Sequence, residues 1–405
     1  MAIIILSIGL MYFFAKYLSL SFARTKIPDV LVLTGMGIVS GPVLGLINIQ
    51  QFGAVGSVIS TMALVLIMFE SGLLMDLKGT IEALGSGFKL TLATAGITVV
   101  LGTLAGHFLA DLDLIPAITL GIIISGTSSA VVIPMAKILG LTEKTTNMLI
   151  LESAITDVTC IIGTVAMLQI ATSGGVSAGH VIGSTLASFV FAIAIGLGAG
   201  GIWLYFSEFI TRINRTVFPT VAFVFAVYGL TEFLGFSGAI ASLALGLTLS
   251  NHRQIGFYKF VERIDKYQTI TERDKNFYEE MVFVLKTFFF IYLGVSMKID
   301  QLVPFIIAIL IILGAFLMRF LLTKILQPEL SSREARVMSL LIPKGLAAAV
   351  LASLPATVNM AGSEKIESIT YAVVFLSILV SSVAIAVLEI MAGKAPAAET
   401  QVAKS

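Results

Sequence analysis

The chain reads as an all-α membrane protein of about thirteen transmembrane helices, built as an inverted repeat with two crossing interrupted helices. Three observations predict this. The 405 residues are 57% apolar and only 12% charged, with a mean hydropathy of +1.02, whereas about a quarter of the residues of a soluble domain carry charge. Apolar runs of about 20 residues, enough to cross about 30 Å of hydrocarbon as helix, recur along the whole length. Two of those runs, in corresponding places, are broken by glycine, proline and polar residues.

The runs fall at 2–21, 28–47, 54–74, 84–110, 115–137, 145–171, 178–208, 215–234, 236–250, 278–297, 302–326, 334–356 and 366–392. They lack the alternation of barrel strands, and backbone polar groups in lipid must be satisfied within the segment, so helices are expected. The first run has no basic residue before it and carries Arg24 and Lys26 after it. That is the wrong polarity for a cleavable signal peptide, so it reads as a retained helix. The third holds Glu70 in M-F-E-S-G-L, placed either to reach an internal site through water or to sit near the interface beside Lys78. The fifth is interrupted by I-S-G-T-S-S-A-V-V-I-P, and the sixth carries L-I-L-E-S-A-I-T-D-V-T-C-I-I. Gly196, Gly198, Gly200 and Gly201 make the seventh a connector suited to close helix packing rather than a nucleotide loop. The ninth is short for a span. Between it and the tenth lies the longest polar stretch, 251–280, of mixed sign, which reads as a solvated connector or an amphipathic helix at the headgroups. The twelfth is interrupted by L-I-P-K-G-L-A-A-A-V, and the tail after Met391 is short and polar. Paired interruptions, at the fifth position of each six-span half, are the sequence pointer to an inverted-repeat transporter with its site at mid-membrane. Pro134 and Pro343 shape these helices rather than bind anything.

With the N-terminus outside, alternate loops collect Arg24 and Lys26, Lys78, Lys137 and Lys144, Arg212 and Arg215, the basic residues of 253–275, and Arg333 and Arg336. The positive-inside rule then puts the C-terminus in the cytoplasm of a cell-membrane protein. The net charge of +1 suggests no nucleic-acid partner. The single Cys160 excludes an internal disulfide framework, and His107, His180 and His252 lack H-E-x-x-H spacing, so neither a metalloenzyme nor a cofactor is indicated. An intramembrane protease would need a paired aspartate or a Ser/His dyad, and neither spacing occurs.

The sixth run places Glu152, Ser153, Thr156 and Asp157 in an otherwise apolar span. A charge near the midplane costs about 2.5–3.5 kcal/mol on insertion scales, so two carboxylates there need a cavity, a partner or a proton. Ser153 and Asp157, four apart, share a helix face, with Thr156 beside them. Desolvation favours the protonated carboxyl and a bound cation the ionised one, so a proton and an alkali cation compete for Asp157. Ser153, Thr156, Thr127 and Ser128 offer hard oxygen ligands through hydroxyls or freed carbonyls, giving an Na+ or K+ site at Asp157, Ser153 and Thr127. Glu152, on another face, is expected to form a buried ion pair with Lys344 at the second break; direct compensation of the empty site by Lys344 is the competing role. Lys286, Glu232, Glu389 and Arg319 fall in or near spans and are read as snorkelling to the headgroups, without function.

These residues carry a resemblance. R-T-K-I-P-D-V-L-V-L-T-G-M-G-I-V-S-G-P (24–42), I-M-F-E-S-G-L-L-M-D-L (67–77), S-G-T-S-S-A-V-V-I-P-M-A-K (125–137), E-S-A-I-T-D (152–157), F-F-F-I-Y-L-G-V-S-M (288–297) and P-K-G-L-A-A-A-V (343–350) together resemble the monovalent cation/proton antiporter superfamily, most closely the NhaP-type sodium/proton exchangers. The resemblance implies a homodimer whose protomers each hold a dimerisation domain (1–74 and 215–297, with the connector 251–280) and a six-helix transport core (84–171 and 302–392) that moves like an elevator. A linker helix (178–208) joins the halves, and 393–405 is a cytoplasmic tail. It puts the transport aspartate on Asp157, a ligand on Ser153, a carbonyl donor on Thr127, the third-helix glutamate on Glu70, and the family's Glu–Arg pair on Glu152 and Lys344. Two departures stand out: Thr156 replaces the family's Asn, and Thr127–Ser128 replaces its Thr–Asp pair. The function expected is secondary active exchange of Na+ or K+ for H+, electroneutral at 1:1. The alternative is a sodium-coupled symporter of a small organic anion.

Overall fold

The computed structural model describes residues 9, 12–17, 28–47, 53–75, 77–172, 178–213, 218–255 and 272–391. The expectations resting on Arg24, Lys26, Arg215, residues 256–271 of the connector and the tail 393–405 lie outside them. Each of the thirteen apolar runs contains helix, and no strand occurs among the described residues.

In chain order the helices are α1 (12–17), α2 (Asp29–Ile38, continued by a π-helical turn Val39–Val43), α3 (Gly53–Leu74), α4 (Leu77–Phe108), α5 (Leu114–Ile123), α6 (Ser129–Ile138), α7 (Glu143–Thr172) and α8 (Ala178–Ile213). They continue as α9 (Phe218–Phe233), α10 (Gly238–Ile255), α11 (Glu272–Ser296), α12 (Leu302–Leu326), α13 (Ser332–Leu340), α14 (Leu346–Leu351), α15 (Leu354–Thr357) and α16 (Ser363–Met391). Gly87–Phe108, Glu143–Thr172, Leu186–Phe206, Leu302–Leu326 and Ser363–Leu388 are each long and apolar enough to cross a membrane unbroken. Along α12 the exposed side chains include Leu302, Val303, Ile306, Leu310, Leu313 and Leu317, a face for lipid, while Ala308, Ile312, Ala315, Arg319 and Thr323 turn inward.

The questioned ninth run is a full helix. α10 extends to Ile255 through a kink at Asn251 (φ −116°, ψ 21°). The Asn251 amide explains the kink: it accepts from Leu77 N at 3.0 Å and donates to Met75 O at 2.7 Å. α11 starts at Glu272, ahead of the expected 278, because polar residues extend a helix into water as readily as apolar ones extend it through lipid.

The helices pack in two groups: α2, α3 and α8–α11 against one another, and α4–α7 with α12–α16. Lipid offers no hydrophobic drive for helix association, so close backbone approach does that work. A Cβ on Gly246 would collide with the Phe69 carbonyl of α3, and one on Gly196 or Gly200 would collide with α10. Two of the four seventh-run glycines thus serve packing as expected; Gly198 meets open space.

Within the second group two helices are interrupted. α5 stops at Ile123 and α6 begins at Ser129; α13 stops at Leu340 and α14 begins at Leu346. Residues 124–128 and 341–345 are therefore breaks of equal length in the two inverted halves, and they cross. Ser128 N donates to Pro343 O at 2.8 Å. A side chain on Gly345 would overlap that of Ser128, so only glycine permits this approach.

Polar contacts join the halves at both rims. At one, Glu334 accepts from Thr142 N at 3.0 Å and from the Thr142 and Thr145 hydroxyls, while Arg333 Nη2 donates to Leu139 O at 2.9 Å. At the other, Lys365 Nζ donates to Ala110 O at 2.8 Å.

Candidate functional site

The middle of α7 carries four polar side chains that are all buried: Glu152, Ser153, Thr156 and Asp157. α7 packs against α4, α5, α6 and α14, so its polar middle faces the crossed breaks instead of lipid. A break frees backbone N–H groups, which cannot stay unpaired away from water. Thr127 N, freed by the first break, donates to Thr156 Oγ1 at 3.0 Å, and the same hydroxyl donates to Glu152 O at 2.8 Å. Thr156, expected as a cation ligand, is thus engaged in pinning the break to α7.

Asp157 points at that break. A Cβ on Gly126 would lie 3.5 Å from Asp157 Oδ1, ordinary contact, and 3.0 Å from Cys160 Sγ, so the break runs directly against the carboxylate. Among the described residues no hydrogen-bond donor reaches the carboxylate, and the cation whose charge acts on it is Lys344. One turn earlier on the same face, Ser153 Oγ is buried with no hydrogen-bond partner among the described residues. Leaving a buried hydroxyl unpaired costs about 1–3 kcal/mol, so an oxygen in this position fits a ligand for a hard cation. Ser128, also expected as a ligand, sits at the crossing itself, its amide held by Pro343 O.

The expected Glu152–Lys344 pair is not the one formed. Glu152 is bound by Arg319 of α12, with Nη2–Oε2 at 2.7 Å and a second contact from Nη1 to Oε1. Both side chains are 2% exposed. The reason is shape: the planar guanidinium matches a carboxylate with two parallel bonds, and its Nε still reaches Met338 O, at the end of α13, at 2.9 Å. An ammonium offers no such fork. Lys344 Nζ instead donates to Ser125 O at 3.3 Å, near the end of α5. Each cation thus meets carbonyls at the C-terminal end of a half-helix, where the helix dipole favours positive charge. Position in the sequence suggests snorkelling for Arg319, yet it belongs to the inward stripe of α12 with Ala315 and Thr323, four residues to either side. That stripe of small and polar residues in an otherwise bulky helix was the available signal.

Beside the first break, Thr94 and Thr98 of α4, Ser125, Thr127, Lys344 and the Glu152–Arg319 pair line a cavity of about 10 Å³, room for about one water. Glu70 does not line it. It is half-buried on α3, in the other packing group.

Comparison with known proteins bears on the family and the fold. The family description "Sodium/hydrogen exchanger, transmembrane" matches residues 9–389. A K(+)/H(+) antiporter NhaP2 of Shewanella sp. (strain MR-4) is 24% identical over 371 residues, 88% of this chain and 61% of that protein. That of Shewanella baltica (strain OS223) is 23% identical over the same shares. The chain therefore spans about three fifths of the length of these relatives. Among solved structures, the sodium proton antiporter MjNhaP1 from Methanocaldococcus jannaschii at pH 8 superposes with a TM-score of 0.76 at 20% identity, covering 95% of this chain and 97% of that one.

Proposed function

The chain belongs to the transmembrane sodium/hydrogen exchanger family, and from that premise we propose that it is a secondary active antiporter of Na+ or K+ against H+, in which both ions use Asp157. The observation that carries this reading is the Asp157 carboxylate against the first break, with no hydrogen-bond donor among the described residues and with the unpartnered Ser153 Oγ one turn away. A proton neutralises the carboxyl. A cation binds it together with Ser153 Oγ and carbonyls of the break around Thr127, and the two occupancies exclude one another. One titrating group carries one charge in either direction, which gives electroneutral 1:1 exchange. Glu152 is neutralised by Arg319 and adds no second exchangeable charge.

The moving body is the group α4–α7 with α12–α16, which carries the site. Support for its moving as a unit comes from the crossed breaks and from the polar contacts joining its halves at both rims. The remaining group serves as the scaffold and homodimer contact. The protein sits in the cell membrane with its N-terminus outside. The cavity beside the first break, about 10 Å³, holds about one water and is lined by neither Asp157 nor Ser153.

The test is reconstitution into liposomes holding a pH gradient and a pH-sensitive dye. Addition of NaCl or KCl dissipates the gradient, and D157N abolishes the response. No response to Na+, K+ or Li+ between about pH 5 and pH 9, or an active D157N, refutes the reading; a rate that follows an imposed membrane potential removes electroneutrality alone.

A further inference from the structure

The second break frees backbone amides just as the first does. Lys344 N donates to Ser377 Oγ of α16 at 2.8 Å, and the Ser377 hydroxyl donates in turn to Val374 O at 3.0 Å. Thr156 does the same on α7: it accepts from Thr127 N and donates back to its own helix. The correspondence extends to register. Thr127 lies two residues before the start of α6 at Ser129, and Lys344 two residues before the start of α14 at Leu346. α7 and α16 are the last helices of their halves, so the two hydroxyls are equivalents under the inverted repeat. Ser377 is not one of a run of helix serines doing the same thing. Among the described residues Ser382 bonds back to Ile378 O and Ser381 Oγ has no partner, whereas Ser377 receives an amide from another element.

We propose that Ser377 is a positioning residue for ion exchange, acting through the backbone of Lys344. The residues it holds make two hydrogen bonds between the breaks: Pro343 O accepts from Ser128 N, and Lys344 Nζ donates to Ser125 O. Ser377 therefore sets how deep the second break sits against the first, and so where Ser125 to Ser128 stand relative to Asp157. Without the hydroxyl, a buried N–H at Lys344 loses its acceptor, and the break shifts to find another. Small displacements of this kind are enough to weaken a site whose ligands must converge on one ion.

The proposal rests on the antiport reading, and the experiment separates the two. Full-length wild type, S377A and S377T are reconstituted at equal density, and cation-driven H+ flux is measured across NaCl and KCl concentrations at fixed pH. S377A raises the cation KM on the order of tenfold, the weight of one buried hydrogen bond, with maximal rate within about twofold of wild type. S377T, which places in α16 the residue found at the equivalent position of α7, restores the KM. In parallel, amide hydrogen exchange of the purified protein rises in S377A within 341–345 and stays unchanged in 139–145. An unchanged KM in S377A overturns the proposal. So does a raised KM without added exchange in 341–345, or one that S377T leaves in place. A wild type without flux to either cation overturns the antiport reading and with it the transport half of this proposal; the hydrogen-exchange arm then still decides whether Ser377 holds the break.

Discussion

Replacing Arg319 by alanine tests the largest difference between the expected and the observed site. Arg319 makes two charge-assisted bonds to Glu152 and one to Met338 O, and both members of the pair are 2% exposed. Its removal leaves a buried carboxylate without its cation and a buried carbonyl without its donor. Breaking a buried pair from one side costs about 3–5 kcal/mol, whereas exchanging both partners for apolar residues of similar volume is often neutral. The expected outcome is that R319A lowers the thermal midpoint of the detergent-solubilised protein by several degrees, and that R319M with E152L recovers most of it. A double-mutant cycle gives the coupling directly, and the Glu152–Arg319 cycle exceeds the Glu152–Lys344 cycle by at least about 1 kcal/mol. If K344A with E152A shows the larger coupling, or R319A melts with wild type, the assignment of Arg319 fails and the original pairing stands.

Two further substitutions follow from the same geometry. In G345A the new methyl overlaps the Ser128 side chain, so the breaks separate; exchange falls at least about tenfold and stability by about 1–3 kcal/mol, read by flux and thermal denaturation. At the rim, the Thr142 hydroxyl above all, with the Thr142 amide and the Thr145 and Ser331 hydroxyls, holds the Glu334 carboxyl below its usual range. A depressed folded pKa means that the contribution is complete above the unfolded carboxylate pKa of about 4.3 and is lost as the pH falls through the folded value. E334Q therefore lowers stability at neutral pH by a few tenths of a kcal/mol, given the screening of an exposed group, and flattens the acid limb of a thermal midpoint measured from about pH 7 to pH 3.

Much of this fold was legible because lipid leaves so few solutions. Thirteen apolar runs had to be helices, and Gly126, Pro343 and Gly345 marked where two of them stop. The same logic singled out Glu152 and Asp157, since carboxylates in an apolar span demand a polar surrounding. What stayed hidden depends on how helices are rotated against each other. Nothing along α7 states which cation Glu152 meets. Lys344 was the nearer guess because it stood at a break, but α12 turns Arg319 inward to a carboxylate that its fork fits better. Likewise the kink at Asn251 follows from a contact with the turn after α3, far away in sequence.

The polar residues at the crossing also divide in a way that composition does not express. Thr156 and Ser128 were grouped with Ser153 as oxygen donors, yet the Thr156 hydroxyl and the Ser128 amide are committed to the backbone of the breaks. Thr156 Oγ1 accepts Thr127 N with one lone pair and donates its proton to Glu152 O, so any cation it meets shares the hydroxyl with the pin on the break. On the function proposed above, the Asp157 carboxylate and Ser153 Oγ are the side-chain oxygens not engaged with the breaks among the described residues, and the rest of the ion's shell comes from hydroxyls and carbonyls of the breaks or from water. Carbonyls held by a crossed pair of half-helices keep their spacing only while the pins on Thr127 and Lys344 hold. Choice between Na+ and K+ then follows from the separation of the two breaks rather than from the chemistry of any one ligand, since both cations accept the same hard oxygens.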